Sequence, residues 1–422
     1  MDNTNANASC APAQENVYET ITNDVKNISR RDFLKTSLLA TGAVALSGCN
    51  KEVAQNDELE IIPKQTATYE FSTPLPFNYK TIDDIIALNS TLKKSQVTTF
   101  YNNAPNQDFN NWISIDRAKN DFIKTYDDFA QFVKYAIGNG FKFSYLMNSP
   151  KPFSEKDFLT FKDEFLYLLD YLYKIGVRDI KVANTQVASA INQFAPNTFN
   201  LSASTAFEYH NVSQYHNLFL GYPNFNLIDV SNDENQNFKF LKSLRKAFPD
   251  KKLELMVNEF CIKGCPARIS HISEDDYFQF ECTKMKLEKG ILYYFFKTGA
   301  IYPWNLEYYS SIGINNFKFI SSNGSINNLR SNFHDITSLQ TYLTCVENGT
   351  NGFLTSDFIN KMFDKLNQTQ VPSNSSKLSD LQQYLPDIRH FVAHGHECTV
   401  KCGVECNYCE LCAKRTENFL LG

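Results

Sequence analysis

Long apolar runs are scarce in this chain of 422 residues. The longest, 36–48, is too short to cross a bilayer as a stable helix and fits the apolar stretch of an export signal. Surplus positive charge is missing as well. Lys and Arg number 41 against 46 Asp and Glu, a formal net charge of -5. The basic face of a duplex nucleic-acid binder is therefore not expected, and no nucleic-acid partner is assigned. No glycine-rich phosphate loop of the GxGxxG or GxxxxGK[ST] type follows a candidate strand, which removes the usual nucleotide signatures. HExxH and GxSxG are also lacking, which excludes the common zinc and serine hydrolase motifs. Cysteine is absent between Cys49 and Cys261 although the chain holds 11. A disulfide scaffold would spread its cysteines through a small domain. The remaining composition, 43% hydrophobic and 21% charged, is that of a globular protein with a sizeable core.

The cysteines that are present crowd toward the end. Five of them form Cys398-x3-Cys402-x3-Cys406-x2-Cys409-x2-Cys412. Thiolates at two or three intervening residues are a strong metal signal, for an iron–sulfur cluster or for tetrahedral zinc. Disulfides formed in an oxidising compartment are the bland alternative. Cys402, Cys406 and Cys409 also spell the radical-SAM spacing, but that motif belongs near the first strand of its own barrel. His390, His394 and His396 lead into the cluster and read better as a surface loop than as ligands. Cys345 lies on an apolar helical stripe with Leu339, Tyr342 and Val346 and reads as a buried thiol.

At the other end, Ser29-Arg30-Arg31-Asp32-Phe33-Leu34-Lys35 precedes a weakly apolar run that finishes in Leu46-Ser47-Gly48-Cys49. This resembles a twin-arginine export signal ending in a lipobox. The resemblance implies the twin-arginine translocase as a partner, a periplasmic or cell-envelope location, and a membrane anchor through lipid on Cys49. That route carries folded proteins, commonly ones that take up a cofactor before export.

Between the ends, β-like runs alternate with helical ones. The expected strands are Thr68–Ser72, Gln96–Tyr101, Phe141–Met147, Asp179–Asn184, Thr198–Ser204, Phe225–Val230, Leu253–Val257 and Asn316–Ile320. Helical spacing marks Phe158–Tyr173, with Ser154 as its cap, Phe238–Phe248 and Asp275–Leu287. Eight strands alternating with helices predict a (β/α)8 TIM-type barrel, with a doubly wound open sheet as the alternative. The expected organisation is a signal over 1–49, a tether over 50–65, the barrel over 66–350, a linker region over 351–395 and a cysteine-rich metal-binding tail over 396–422.

The chemistry concentrates after the seventh strand, in Leu255-Met256-Val257-Asn258-Glu259-Phe260-Cys261-Ile262-Lys263-Gly264-Cys265-Pro266-Ala267-Arg268-Ile269-Ser270-His271. Active-site groups of α/β barrels gather at that end of the strands. Cys261 and Cys265 stand close enough for one metal centre, and Cys282 follows on the next expected helix. Glu259, Arg268 and His271 are the candidate catalytic residues: Glu259 as general acid or base, or as the ion-pair partner of Arg268, and His271 as a group orienting a cluster or substrate, or equally as a hydrogen-bonded structural residue.

This segment, together with Tyr302-Pro303-Trp304-Asn305 and the closing run Gly313-Ile314-Asn315-Asn316-Phe317-Lys318-Phe319, resembles the U32 peptidase-like (collagenase-like) family. The likeness spans about 66–350. It implies a barrel binding an iron–sulfur cluster of the 4Fe-4S type, with Cys261, Cys265 and Cys282 at the first three ligand positions. A fourth cysteine is not supplied before the closing strand, and Ile320-Ser321-Ser322 stands where the family often shows Glu-Gly-Arg. Three functions follow as expectations: an iron–sulfur redox enzyme with hydroxylase-like chemistry, a peptidase acting on a small-molecule or peptide substrate, or a non-catalytic metal-binding and electron-transfer lipoprotein.

Overall fold

The computed structural model describes residues 69–104, 125–151, 155–259, 261–265, 268, 293, 296–320, 336–349, 384–393 and 406–421. The eight strands are β1 (Tyr69–Pro74), β2 (Ser95–Asn102), β3 (Lys142–Met147), β4 (Asp179–Val182), β5 (Asn200–Ala203), β6 (Phe225–Asp229), β7 (Lys252–Met256) and β8 (Asn316–Lys318). They close in sequence order. Every pairing is parallel, and β8 returns to β1 through Glu70 opposite Asn316 and Ser72 opposite Lys318. The open-sheet alternative is thereby removed.

The helices α1 (Tyr79–Thr91), α2 (Tyr126–Gly138), α3 (Glu155–Lys174), α4 (Thr185–Phe194), α5 (Val212–Gly221), α6 (Phe238–Ala247), α7 (Leu306–Ser310) and α8 (Ile336–Asn348) surround the barrel. Local chemistry sets where strands stop. Asn184, expected in β4, instead caps α4 by accepting a 2.8 Å hydrogen bond from Val187 N. Ser204 likewise leaves β5 to cap the short turn Thr205–Phe207. Thr125 and Asp128 form a capping box at α2.

Side-chain alternation along the strands divides the barrel into two environments. One residue per strand, Phe71, Phe100, Phe143, Ile180, Leu201, Ile228, Leu253 and Phe317, is at most 2% exposed and belongs to the core beneath the helices. Phe143 meets Phe129 of α2 edge-on at 5.7 Å. Phe71 meets Tyr342 of α8 at 6.0 Å. The residue after each of these turns into the lumen: Ser72, Tyr101, Ser144, Lys181, Ser202, Asp229, Glu254 and Lys318, all buried. A TIM-type lumen is ordinarily filled by branched aliphatics; this one is filled by hydroxyls and charge.

Two further helices, α9 (Ile388–Ala393) and α10 (Tyr408–Leu421), pack on the barrel. The end of the stretch 351–395, expected as linker, is thus structured: Leu385, Ile388 and Phe391 are buried with the core. Cys345 is buried on α8. Among the described residues no helix is long and apolar enough to cross a membrane.

Candidate functional site

Three loops build the mouth at the carboxyl ends of β5, β6 and β7. After β5, the turn Thr205–Phe207 ends on Glu208, held at φ 49°. A glutamate in the left-handed region is strained, and such strain is kept only where surrounding contacts fix it. Here the contacts are to its carboxylate, which faces Arg268 at 3.4 Å and His210 at 3.6 Å. After β6, the turn Asn232–Glu234 presents two more acids. Asp233 accepts from Gly264 N at 2.8 Å and from the Arg268 guanidinium. Glu234 meets His210 Nδ1 at 3.0 Å.

The β7 loop is fastened from both sides. Asn258 donates to Ile320 O and accepts from Ile320 N, both at 2.8 Å, tying it to the end of β8. Asn235 donates to Met256 O and Gly299 O at 2.7 Å each. Position 299 must be glycine, because a Cβ there would lie 2.4 Å from Asn232 O. Lys263 N donates to Lys297 O at 3.1 Å, so the Cys261–Cys265 turn is seated on the segment that leads into β8.

Within this frame the thiols of Cys261 and Cys265 are in hydrogen-bond contact, with the Arg268 guanidinium beside Cys261. The Cys265 contact, burial and Glu259 together push the Cys261 thiol well above its ordinary value, although Arg268 opposes them. A cysteine nucleophile needs the opposite shift. The His210 imidazole is pushed up to about 10 by hydrogen bonds to Glu208 and Glu234, despite partial burial. It is an imidazolium at neutral pH and serves as a donor, not a base.

Glu259 and Arg268 both stand at the mouth, and of the two readings of Glu259 the ion pair with Arg268 is not formed. Glu259 Oε1 accepts from Cys261 N at 2.8 Å. Arg268, almost fully buried, is taken by Asp233, Glu208 and the Ile262 carbonyl. Its Nε has no hydrogen-bond partner among the described residues. His271, Cys282, Cys398 and Cys402 lie outside the described residues. Cys406 precedes α10, and Cys409 and Cys412 are buried on it. The last two lie beside Tyr302, whose hydroxyl is raised first by burial and then by these two sulfurs.

Among the described residues the one set of three metal-type ligands that converges is Glu208, His210 and Asp233, within 4.8 Å of one another. Such oxygen and nitrogen donors suit a divalent cation. Their charge is already met by Arg268 and the imidazolium itself.

A second charged group occupies the lumen below the mouth. The Lys181 ammonium donates to both Asp229 oxygens at 2.6 Å and to Glu254 at 2.8 Å. Lys318 donates to Asp229 at 3.2 Å and lies 4.5 Å from the centre of the Tyr101 ring. Burial opposes ionisation of Asp229, yet Lys181 and Lys318 hold it down at about 2. Burial pushes Glu254 up and Lys318 down. Sequence reading overlooked this network and the Glu208–His210 pair. The signal for the former was present: charged or hydroxyl residues recur at alternate positions in strands of a parallel barrel, where continuous apolar runs are the norm.

Residues 27–47 match the TAT (twin-arginine translocation) pathway signal sequence. The chain therefore carries the address of the twin-arginine route, consistent with export across the membrane. No curated protein matches the sequence. Among solved structures, a U32 peptidase is similar at 10% identity and a TM-score of 0.39, covering 64% of this chain and 98% of its own. CdNal from Clostridium difficile, in complex with mannosamine, is similar at 12% identity and 0.33, covering 83% and 98%. A D-psicose 3-epimerase in the presence of D-fructose gives 12% and 0.31, covering 60% and 84%. These are likenesses of a barrel to other proteins and assign no activity to this chain.

Proposed function

We propose that this exported barrel is an iron–sulfur redox enzyme of the U32 peptidase-like kind, with hydroxylase-like chemistry on a small substrate at the mouth. One observation carries the reading: Cys261 and Cys265 bring their thiols into contact at the carboxyl end of β7, beside a guanidinium whose Nε–H has no partner among the described residues. That donor set fits a thiolate-ligated centre, since soft sulfur ligands and a nearby cation suit an anionic cluster. A bound cluster would supply one-electron chemistry. The chain's own residues would do the rest. Arg268 and Gly264 N orient Asp233, while the His210 imidazolium holds the Glu208 and Glu234 carboxylates in place at the rim of the mouth.

Cys282 is the third proposed ligand. The tail is proposed to supply the fourth, because the Cys261–Cys265 turn is hydrogen-bonded to Lys297 and the Cys409 and Cys412 sulfurs are near enough to Tyr302 to act on its hydroxyl electrostatically. Lipid on Cys49 is proposed as the anchor. The test is anaerobic purification with visible absorption and iron and sulfide analysis. Cys261→Ser and Cys265→Ser should each lose iron, and unchanged iron in both would sink the assignment. Deleting 396–422 separates two arrangements. Loss of all iron from a folded barrel indicates a shared centre; partial loss with the barrel spectrum intact indicates a second centre, iron or zinc, in the tail.

A further inference from the structure

We propose that the lumen is a second ligand site, entered from the face opposite the mouth, for a small uncharged polyhydroxy compound. The amino-terminal ends of the strands surround a cavity of about 270 Å³. Its rim carries the Glu70–Lys252 pair at 2.5 Å, both side chains substantially exposed. Its floor is Lys181 and Glu254, the lower edge of the charged network. The volume is that of several waters at about 30 Å³ each and approaches the roughly 300 Å³ where ligand pockets begin.

Two wall residues point to an occupant. Ser72 Oγ and Ser144 Oγ are buried and have no hydrogen-bond partner among the described residues. Both side chains line this cavity and are at least nine-tenths buried, 4% and 5% exposed. A serine hydroxyl offers one donor and two acceptor sites, and leaving all of them unmade inside a protein is costly. Alanine at either position would carry no such cost, so core packing alone does not account for them. Thr98 and Thr99 add hydroxyls, and Leu227 and Tyr101 add an apolar side.

Charge selects the class. The lysines and carboxylates here are matched: Lys181 with Asp229 and Glu254, Lys252 with Glu70, Asp250 with Lys251, and Lys142 acting on Asp179. An ion entering would find no uncompensated partner. A polyol finds hydroxyls that both donate and accept, with Leu227 and Tyr101 for its C–H edges.

The full chain, purified without polyols, is titrated with xylitol and with glycerol by ligand-observed NMR, with sulfate and glycine as charged probes. Expected is saturable polyol binding that Ser72→Ala/Ser144→Ala weakens at least tenfold, with circular dichroism showing the variant folded. Ser144→Leu, which fills the lumen, should abolish binding. Three results overturn the proposal: no polyol binding, so that the cavity holds water only; equal binding by wild type and both variants; or preference for sulfate or glycine. Iron content reads the mouth separately and should be the same in all of these variants.

Discussion

Replacing Lys181 with Met removes the centre of the buried network while keeping most of its side-chain volume. The ammonium makes three short charge-assisted hydrogen bonds, and its partners Asp229 and Glu254 are 1% and 6% exposed. Removing one member of a buried pair strands the other charge and typically costs about 3–5 kcal/mol. In a barrel of this size about 1 kcal/mol moves the thermal midpoint by about 2–3 °C, so a fall of about 6–15 °C is expected by circular dichroism at pH 7. The pH dependence is a second reading. Asp229, held at about 2 instead of 3.8, contributes stability that is present above its ordinary value and lost as pH falls through about 2. Without Lys181 only Lys318 still favours the Asp229 carboxylate and that contribution shrinks, so the gap between wild type and variant should narrow between about pH 4 and pH 2. A midpoint within about 2 °C of wild type, or a gap indifferent to pH, would refute the reasoning.

Three other outcomes are expected. Arg30→Lys with Arg31→Lys should leave full-length precursor in the cytoplasm, detected by fractionation; normal delivery would contradict the signal. His210, raised from 6.5 to about 10, contributes stability that is full below about 6.5 and lost as pH rises through about 10. Because its side chain is 43% exposed, the effect is discounted to about 1 kcal/mol, and His210→Gln should flatten the midpoint-versus-pH curve across that window. Glu347 at the end of α8 accepts from the backbone of Lys93, Lys94 and Ser95 at 2.8–2.9 Å and from the Ser95 hydroxyl at 2.8 Å. Its carboxyl is held below the ordinary range, so its contribution is present above that range and fades as pH falls. Glu347→Ala should lower the urea midpoint by the equivalent of about 2 kcal/mol at pH 7, and an unchanged midpoint would count against this anchor.

The barrel was legible in the sequence because each strand is a short β-rich run set off by helical spacing, and all eight lie within a few residues of their expected bounds. Two of the misplaced ends share a cause. Asn184 and Ser204 look like strand continuations in composition, but their side chains do better as caps. The β7 loop was legible because paired cysteines and Gly264 form a local pattern. Glu208, His210 and Asp233 were not, because their meeting depends on closure of the barrel and no spacing encodes it. For the same reason the sequence offers Arg268 only the nearby Glu259 as an ion-pair partner, one of two readings of that acid, when Asp233 and Glu208 are its neighbours in space.

The lumen network also bears on how the barrel assembles. Its members come from β4, β6, β7 and β8. A half-barrel of β1–β4 would hold Lys181 with neither Asp229 nor Glu254, and the complementary half would hold two acids against Lys318 alone. Burying such unmatched charge is prohibitive, so a partly closed sheet cannot dry its interior. Neutrality arrives only when the two halves meet, which makes closure an all-or-none event. For a chain whose route accepts folded cargo, the same event separates transportable molecules from those still under construction: the charges of the interior are either matched or stranded.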